Sequence, residues 1–302
     1  MGSSPADVVL AIFGPTASGK TAVAQAVAAR IPAGVVSADS AALYRGLEVL
    51  TAAPASPTRL VGVLELGEEA SVVDYQRLAH AVIDELRVDG RTPIVVGGTG
   101  LYFRAALSTM TPPPAPLPGE RERWQRLYDR LGAARAHDAL SRRDPDAAAR
   151  IHPNDRRRVV RALELVAAGS SLLPARDRLW SDETRLPSVI VGLVVPPDEL
   201  ERRIDERAER MVAAGVQAEA RSALTQPLAA TAAKIMGLRE AAELPDDEVA
   251  AALATASRRL ARYQRKWLRR IPGLVPVDAD RPPGAVADDL ISLLAATRAE
   301  PR

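Results

Sequence analysis

Residues 14–21 read GPTASGKT, between the apolar run DVVLAIF (7–13) and the alanine-rich run TAVAQAVAAR (21–30). Glycine, four residues, then Gly-Lys-Thr is the spacing of a phosphate-binding loop. Gly14 and Gly19 free the backbone so that N–H groups can turn toward an anion, and the following helix adds its positive N-terminus. Lys20 supplies a point charge, and Thr21 a hydroxyl able to sit on Mg²⁺. Pro15, Thr16, Ala17 and Ser18 complete the cradle. Four fixed positions also match by accident, but this match follows an expected strand and opens an expected helix, the context a real loop requires.

Outward from the loop, GVVSADS (34–40) reads as a second strand, VVDYQRLAHAVIDELRVDG (72–90) as a helix closed by Gly90, and TPIVVGGTG (92–100) as a third strand. Strand, helix, strand, helix, strand implies a parallel sheet wrapped by helices. The proline-rich stretch TMTPPPAPLPG (109–119) reads as a connector. Residues 120–168 are charged and helical in pattern, and SVIVGLVVP (188–196) returns to the sheet. From 197 the pattern is helical except for a short apolar run at 273–279. The expectation is an α/β fold: a P-loop NTPase-like parallel sheet flanked by helices, with an inserted helical subdomain. Residues 1–110 and 186–302 form the core with its C-terminal helices, and 111–185 the insertion.

Composition narrows the chemistry. The 302 residues are 47% hydrophobic and 26% charged, enough for a packed core. The absence of cysteine excludes thiolate metal sites and disulfides. Three scattered histidines (His80, His137, His152) argue against a histidine metal cluster. Without a signal peptide or a membrane-length apolar run, the expected place is the cytoplasm.

The acidic residue that holds Mg²⁺ in nucleotide hydrolases ends a later apolar strand; here that strand ends in glycine and threonine. The acidic candidate is Asp39, after the second strand. Strand C-termini face the ligand crevice in such sheets, so Asp39 and Thr99 should lie near the loop. By position alone Asp39-Ser40 reads equally as a helix cap or as catalytic.

Net charge is only +2, yet 37 of the 40 basic residues are arginine, lysine being confined to Lys20, Lys234 and Lys266. A GC-rich genome accounts for that bias, but not for two local clusters. NDRRRVVRALE (154–164) holds Arg156, Arg157, Arg158 and Arg161, and SRRLARYQRKWLRR (257–270) has seven basic residues and no acidic one. On a helical wheel Arg258, Arg262, Arg265 and Arg269 share one face, with Leu260, Tyr263, Trp267 and Ile271 opposite. A single-sign face over an apolar seam suits a nucleic-acid backbone better than a solvated or membrane-surface helix.

Six blocks together resemble one family: GPTASGKTAVA (14–24), SADSAALYRGLEVLTAAP (37–54), VVGGTGLYFRAAL (95–107), RIHPNDRRRVVRALE (150–164), TAAKIMGLREA (231–241) and SRRLARYQRKWLRR (257–270). In this order, across nearly the whole chain, they are similar to the tRNA dimethylallyltransferases. The resemblance implies that dimethylallyl diphosphate donates its five-carbon group to N6 of adenosine-37 in tRNAs reading codons that start with U, releasing pyrophosphate, with Mg²⁺ required.

It also implies roles. Asp39 would remove the N6 proton, with Thr99 positioning base or donor and Lys20 on the diphosphate. Gly14, Pro15, Thr16, Ala17, Ser18, Gly19, Lys20 and Thr21 would bind the diphosphate, Thr21 touching the metal. Asp39, Ser40, Ala41, Ala42, Thr99, Arg157, Arg158, Arg161, Lys234, Arg239, Arg262, Gln264, Arg265 and Arg269 would meet the anticodon loop, with a further arginine at Arg121 or Arg123. The partners implied are tRNA and the prenyl donor, no membrane, with the enzyme a monomer. The chain departs from the family at TAAP, which lacks a lysine. It departs again at Thr58-Arg59-Leu60-Val61-Gly62, where the family has His-His-Leu-Ile-Asp, and at Arg262-Tyr263-Gln264, where the family has Lys-Arg-Gln. Two alternatives stay open: a P-loop small-molecule kinase, and a catalytically impaired tRNA-binding paralogue.

Overall fold

The computed structural model describes residues 7–109, 119–172 and 183–299. The expected connector lies almost wholly outside them, as does the expected boundary at 110–111. The chain forms two compact units, Met1–Thr109 with Asp182–Arg302, and Met110–Ser181.

The first unit alternates strand and helix: β1 (Val9–Phe13), α1 (Lys20–Ala28), β2 (Ala33–Ser37), α2 (Glu48–Thr51), β3 (Thr58–Arg59), α3 (Val72–Val88), β4 (Thr92–Gly97) and α4 (Gly100–Leu107). The second unit contributes α5 (Glu120–Ser141), α6 (Pro145–Arg150) and α7 (Arg156–Ala167). The chain then re-enters the first unit with β5 (Ser188–Val194), α8 (Pro197–Ala213), α9 (Val216–Leu224), α10 (Leu238–Glu243), α11 (Asp246–Leu268), β6 (Val275–Asp278) and α12 (Pro283–Ala299).

Among the described residues, six strands make one parallel sheet in the order β3-β2-β4-β1-β5-β6. The three central-to-left strands β1, β2 and β4 are buried along their whole length. That is why they read as unbroken apolar runs rather than alternating ones: helices cover both faces. Register then aligns their C-terminal ends, with Phe13 beside Gly97 and Ser37 beside Val96. β4 stops at Gly97, short of the expected Gly100. A Cβ on Gly97 would come within 2.2 Å of the Ala38 carbonyl oxygen, so the close approach of the two strand ends requires glycine.

Helix ends follow their local chemistry. Ser71 caps α3 by accepting from the Asp74 N–H at 3.1 Å, and Gly90, at φ 71°, ends the turn after it. The apolar run at 273–279 becomes the edge strand β6, paired with β5. β3 gave no sequence signal because two residues cannot show a period. It occupies part of the Thr58 to Gly62 departure, and Arg59 there pairs with both carboxylate oxygens of Glu85, at 2.9 and 2.8 Å.

The second unit carries its own core, built around Trp124, Tyr128, Leu140, Val159 and Leu163. α5 bends at Gly132, whose φ of 79° and ψ of 167° are not helical. Among the described residues, no helix is long and apolar enough to cross a membrane.

Candidate active site

The loop at 14–21 leaves β1 and enters α1 through two left-handed residues, Ala17 (φ 62°) and Gly19 (φ 84°). Alternating handedness turns successive N–H groups to one side and forms a concave anion seat. A left-handed alanine costs conformational energy and persists only where its surroundings hold it. No side chain caps α1, so its first-turn N–H groups stay open to a ligand. The Ser18 hydroxyl is buried without a hydrogen-bond partner. A Cβ on Gly14 would lie 2.7 Å from it, so that glycine too is required by space.

Two cations and one carboxylate converge here. Lys20 donates from Nζ to the Pro15 carbonyl at 2.6 Å. Burial pushes its pKa down to about 7, the Arg207 guanidinium adds to the depression, and Asp39 opposes it. Arg207, from α8, donates to the Thr16 hydroxyl at 2.9 Å and to the Thr51 carbonyl at 3.2 Å. Its pKa is lowered by burial and supported by Asp39. Burying cations is costly unless an anion answers them. Asp39 is one answer to these two cations.

Asp39 follows β2 by two residues, and its Oδ1 accepts from the Ala41 N–H at 3.0 Å. It is thus a turn-forming residue, yet no bond engages Oδ2 among the described residues. Thr99 follows β4 by two residues and is the N-cap of α4, but its side chain makes no cap hydrogen bond. Its hydroxyl is left for another partner. The ends of β1, β4 and β2 therefore present, side by side, the phosphate loop, Thr99 and Asp39. Ser40 and Ala41 are half-buried, and Ala42 is buried.

α11 corrects the helical wheel drawn from sequence. Its buried face is Leu253, Ala254, Ser257, Ala261, Gln264 and Trp267, while Tyr263 is 56% exposed. Small and amide side chains mark the true interface, so apolar character alone misplaced the phase. Gln264, expected to meet RNA, is 3% exposed and accepts the Thr16 N–H at 2.7 Å. Arg258 is half-buried and paired with Asp205 of α8 at 2.5 Å. Arg262, Arg265 and Arg269 are exposed, and no carboxylate pairs with them among the described residues. Lys234 is exposed, and Arg239 pairs with Glu243 at 3.1 Å.

In the second unit Glu164, 2% exposed, accepts from Arg121 at 3.0 Å and from Arg161 at 2.9 Å. Arg156 forms a bidentate pair with Asp129, at 2.9 and 2.7 Å. Arg158 lies 3.6 Å from Asp155. Arg157 is exposed and has no ion pair among the described residues. Arg123 pairs with Glu120 at 2.8 Å and lies over the Trp124 ring.

No group of three or more His, Asp or Glu able to hold a metal occurs among the described residues. The donor set present is different: the exposed Thr21 hydroxyl in the first turn of α1, with the orphaned Ser18 hydroxyl deeper in the loop. That set fits Mg²⁺, which keeps its waters and takes few protein ligands when substrate phosphates supply the rest.

A parallel sheet with a phosphate loop after β1, and no acidic residue ending β4, defines a P-loop enzyme outside the nucleotide-hydrolase pattern. A model of the IPP transferase family matches residues 42–271, and the chain belongs to that family of prenyltransferases. It is 38% identical over 306 residues to the tRNA dimethylallyltransferase of Salinispora arenicola, covering 97% of this chain and 88% of that one. It is 41% identical over 288 residues to the tRNA dimethylallyltransferase of an Anaeromyxobacter species, covering 90% and 96%. The crystal structure of the full-length tRNA isopentenylpyrophosphate transferase of Bacillus halodurans superposes with a TM-score of 0.67 at 29% identity, covering 96% and 98%. A eukaryotic dimethylallyltransferase shares the fold, with a TM-score of 0.77 at 20% identity, over 95% of this chain and 80% of that one. The family read from six ordered blocks is the family found.

Sequence reading missed Arg207. It lies 191 positions from the Thr16 it touches. Within the charged run ERRIDERAERM (201–211) nothing local sets it apart, since Arg203, Arg207 and Arg210 each sit one position before a buried residue.

Proposed function

We propose that the chain transfers the dimethylallyl group from dimethylallyl diphosphate to N6 of adenosine-37 in tRNAs reading codons that start with U. The C1–O bond of the donor breaks, the C1–N6 bond forms, pyrophosphate leaves, and the N6 proton passes to the free oxygen of Asp39. The observation that carries this reading is the placement of Asp39 and Thr99 at the two strand ends beside a phosphate loop backed by Lys20 and Arg207.

The N6 amine is a weak nucleophile because its lone pair is delocalised into the ring, so a carboxylate base raises its reactivity. An extruded loop base reaches such a site at modest unstacking cost. Lys20, Arg207 and the N–H groups of 14–21 stabilise the charge that develops on the leaving diphosphate. Mg²⁺, when bound through Thr21 and the diphosphate, would neutralise further charge there. Thr99 offers its hydroxyl to the base or the donor. Arg157, Arg262, Arg265, Arg269 and Lys234 take RNA phosphates, the insertion at 111–185 shares in holding the RNA, and the enzyme works in the cytoplasm as a monomer. Phosphoryl transfer, the kinase reading, finds less support, since β4 runs into Gly97, Gly98 and Thr99 with no carboxylate.

Asp39→Asn tests the assignment of the base. Turnover should fall by about 10²- to 10⁴-fold, the range of general-base contributions. Affinity for unmodified tRNA should hold within about twofold. Equal loss of binding and rate would reduce Asp39 to a turn former.

A further inference from the structure

Thr16 is held by two residues remote in sequence. Arg207 donates to its hydroxyl, and its N–H donates to the Gln264 side-chain oxygen at 2.7 Å. The second bond departs from the usual logic of an anion loop, whose N–H groups point at the anion. Here one loop amide points instead at a helix 248 positions away.

Gln264 reaches the neighbouring loop as well. A Cβ on Gly98 would come within 2.2 Å of Gln264 Nε2. One helical turn on, the Trp267 ring fills the space beside Gly100, where a Cβ would come within 2.0 Å. The inner face of α11 thus abuts both loops that carry the reacting groups, 14–21 and 97–100. A buried amide in such a place is specific: without its partner it would lose the hydrogen bond and keep the desolvation cost.

The outer face of the same turns carries Arg262, Arg265 and Arg269, exposed and without carboxylate partners among the described residues. We infer that Gln264 is a positioning residue that fixes the diphosphate loop, through the Thr16 amide, to the helix whose outer face takes RNA phosphates, so that RNA docking and donor binding are coupled. The identity of the two ligands rests on the proposed function; the hold on Thr16 does not. By linkage the coupling is reciprocal, each ligand tightening the other by the same factor.

Gln264→Met keeps length and volume and removes the acceptor, whereas Gln264→Glu keeps an acceptor oxygen. Hydrogen exchange of the Thr16 amide in the ligand-free protein should accelerate about 30-fold in the Met variant, with α11 amides unchanged. Affinity for inorganic pyrophosphate with Mg²⁺ is then measured with and without unmodified tRNA. The wild type should tighten about tenfold with tRNA and the Met variant less than about twofold, while tRNA affinity alone is unchanged in both. Gln264→Glu should restore Thr16 protection and coupling. Undiminished coupling in the Met variant would overturn the inference, as would a loss of tRNA affinity matching the loss of pyrophosphate affinity, which would make Gln264 an RNA contact. Should the Met variant not fold, Gln264→Glu decides alone, and loss of Thr16 protection or coupling in it overturns the inference. A wild type that couples pyrophosphate to tRNA yet transfers no prenyl group would overturn the proposed function and leave the inference standing.

Discussion

The arginines of α7 are mostly answered by carboxylates, whereas those at the end of α11 are not. Arg156 sits on Asp129, Arg158 lies near Asp155, and Arg161 shares the buried Glu164 with Arg121. On α11 Arg258 is paired with Asp205, whereas Arg262, Arg265 and Arg269 face outward with no carboxylate partner among the described residues. Both clusters are dense in arginine, with four in the 11 residues 154–164 and six in the 14 residues 257–270. A paired cluster stabilises its own unit and projects little field. An unpaired one projects a positive potential that an anionic partner can meet. Density of charge is therefore a weaker guide to binding than what the neighbouring helices supply.

The largest effect that would break the comparison lies on α11. Reversing Arg262, Arg265 and Arg269 together to Glu should weaken tRNA binding by about 100-fold or more at low salt, and flatten the slope of log affinity against log salt by about 2. Filter binding across a salt series measures both, and an unchanged slope would show that these arginines hold no phosphate. Next in size, Glu164→Gln should destabilise the helical unit by about 2 kcal/mol in denaturant unfolding, because a carboxylate shared by two guanidinium groups is lost from a buried position. Little change there would mean that the α7 pairs are incidental.

A smaller effect tests pairing away from both helices. Burial and the nearby Arg185 hold the His80 pKa below its ordinary value. The unfolded chain then binds the proton more readily, so stability is full above the unfolded pKa of about 6.5 and is lost as pH falls below it toward the folded value. His80→Gln should flatten the fall in urea midpoint between pH 7 and 5.5. The smallest effect belongs to Arg156→Ala, which removes an exposed pair. It should leave tRNA affinity within about twofold, against the large loss on α11.

The loop, the sheet and the strand-end pair Asp39 and Thr99 were legible in sequence, because glycine spacing and unbroken apolar runs are local signals. The inner half of the site was not. Arg207 and Gln264 meet Thr16 across 191 and 248 positions, and nothing local marks a cation or an amide that turns inward. The phase of α11 was misread for a related reason: Ser257, Ala261 and Gln264 are buried, while the larger Tyr263 faces solvent. The pairing of α7 was equally invisible, since Asp129 and Glu164 announce their partners only once the helices are packed.

The most direct measurement offers the enzyme unmodified tRNA, Mg²⁺ and both dimethylallyl diphosphate and ATP, and analyses the tRNA nucleosides and the released phosphates together. The account predicts N6-dimethylallyl adenosine at position 37, with one pyrophosphate released per modified tRNA and no phosphate transferred from ATP. Phosphate transferred from ATP, or an unmodified adenosine with the prenyl donor intact, would contradict it.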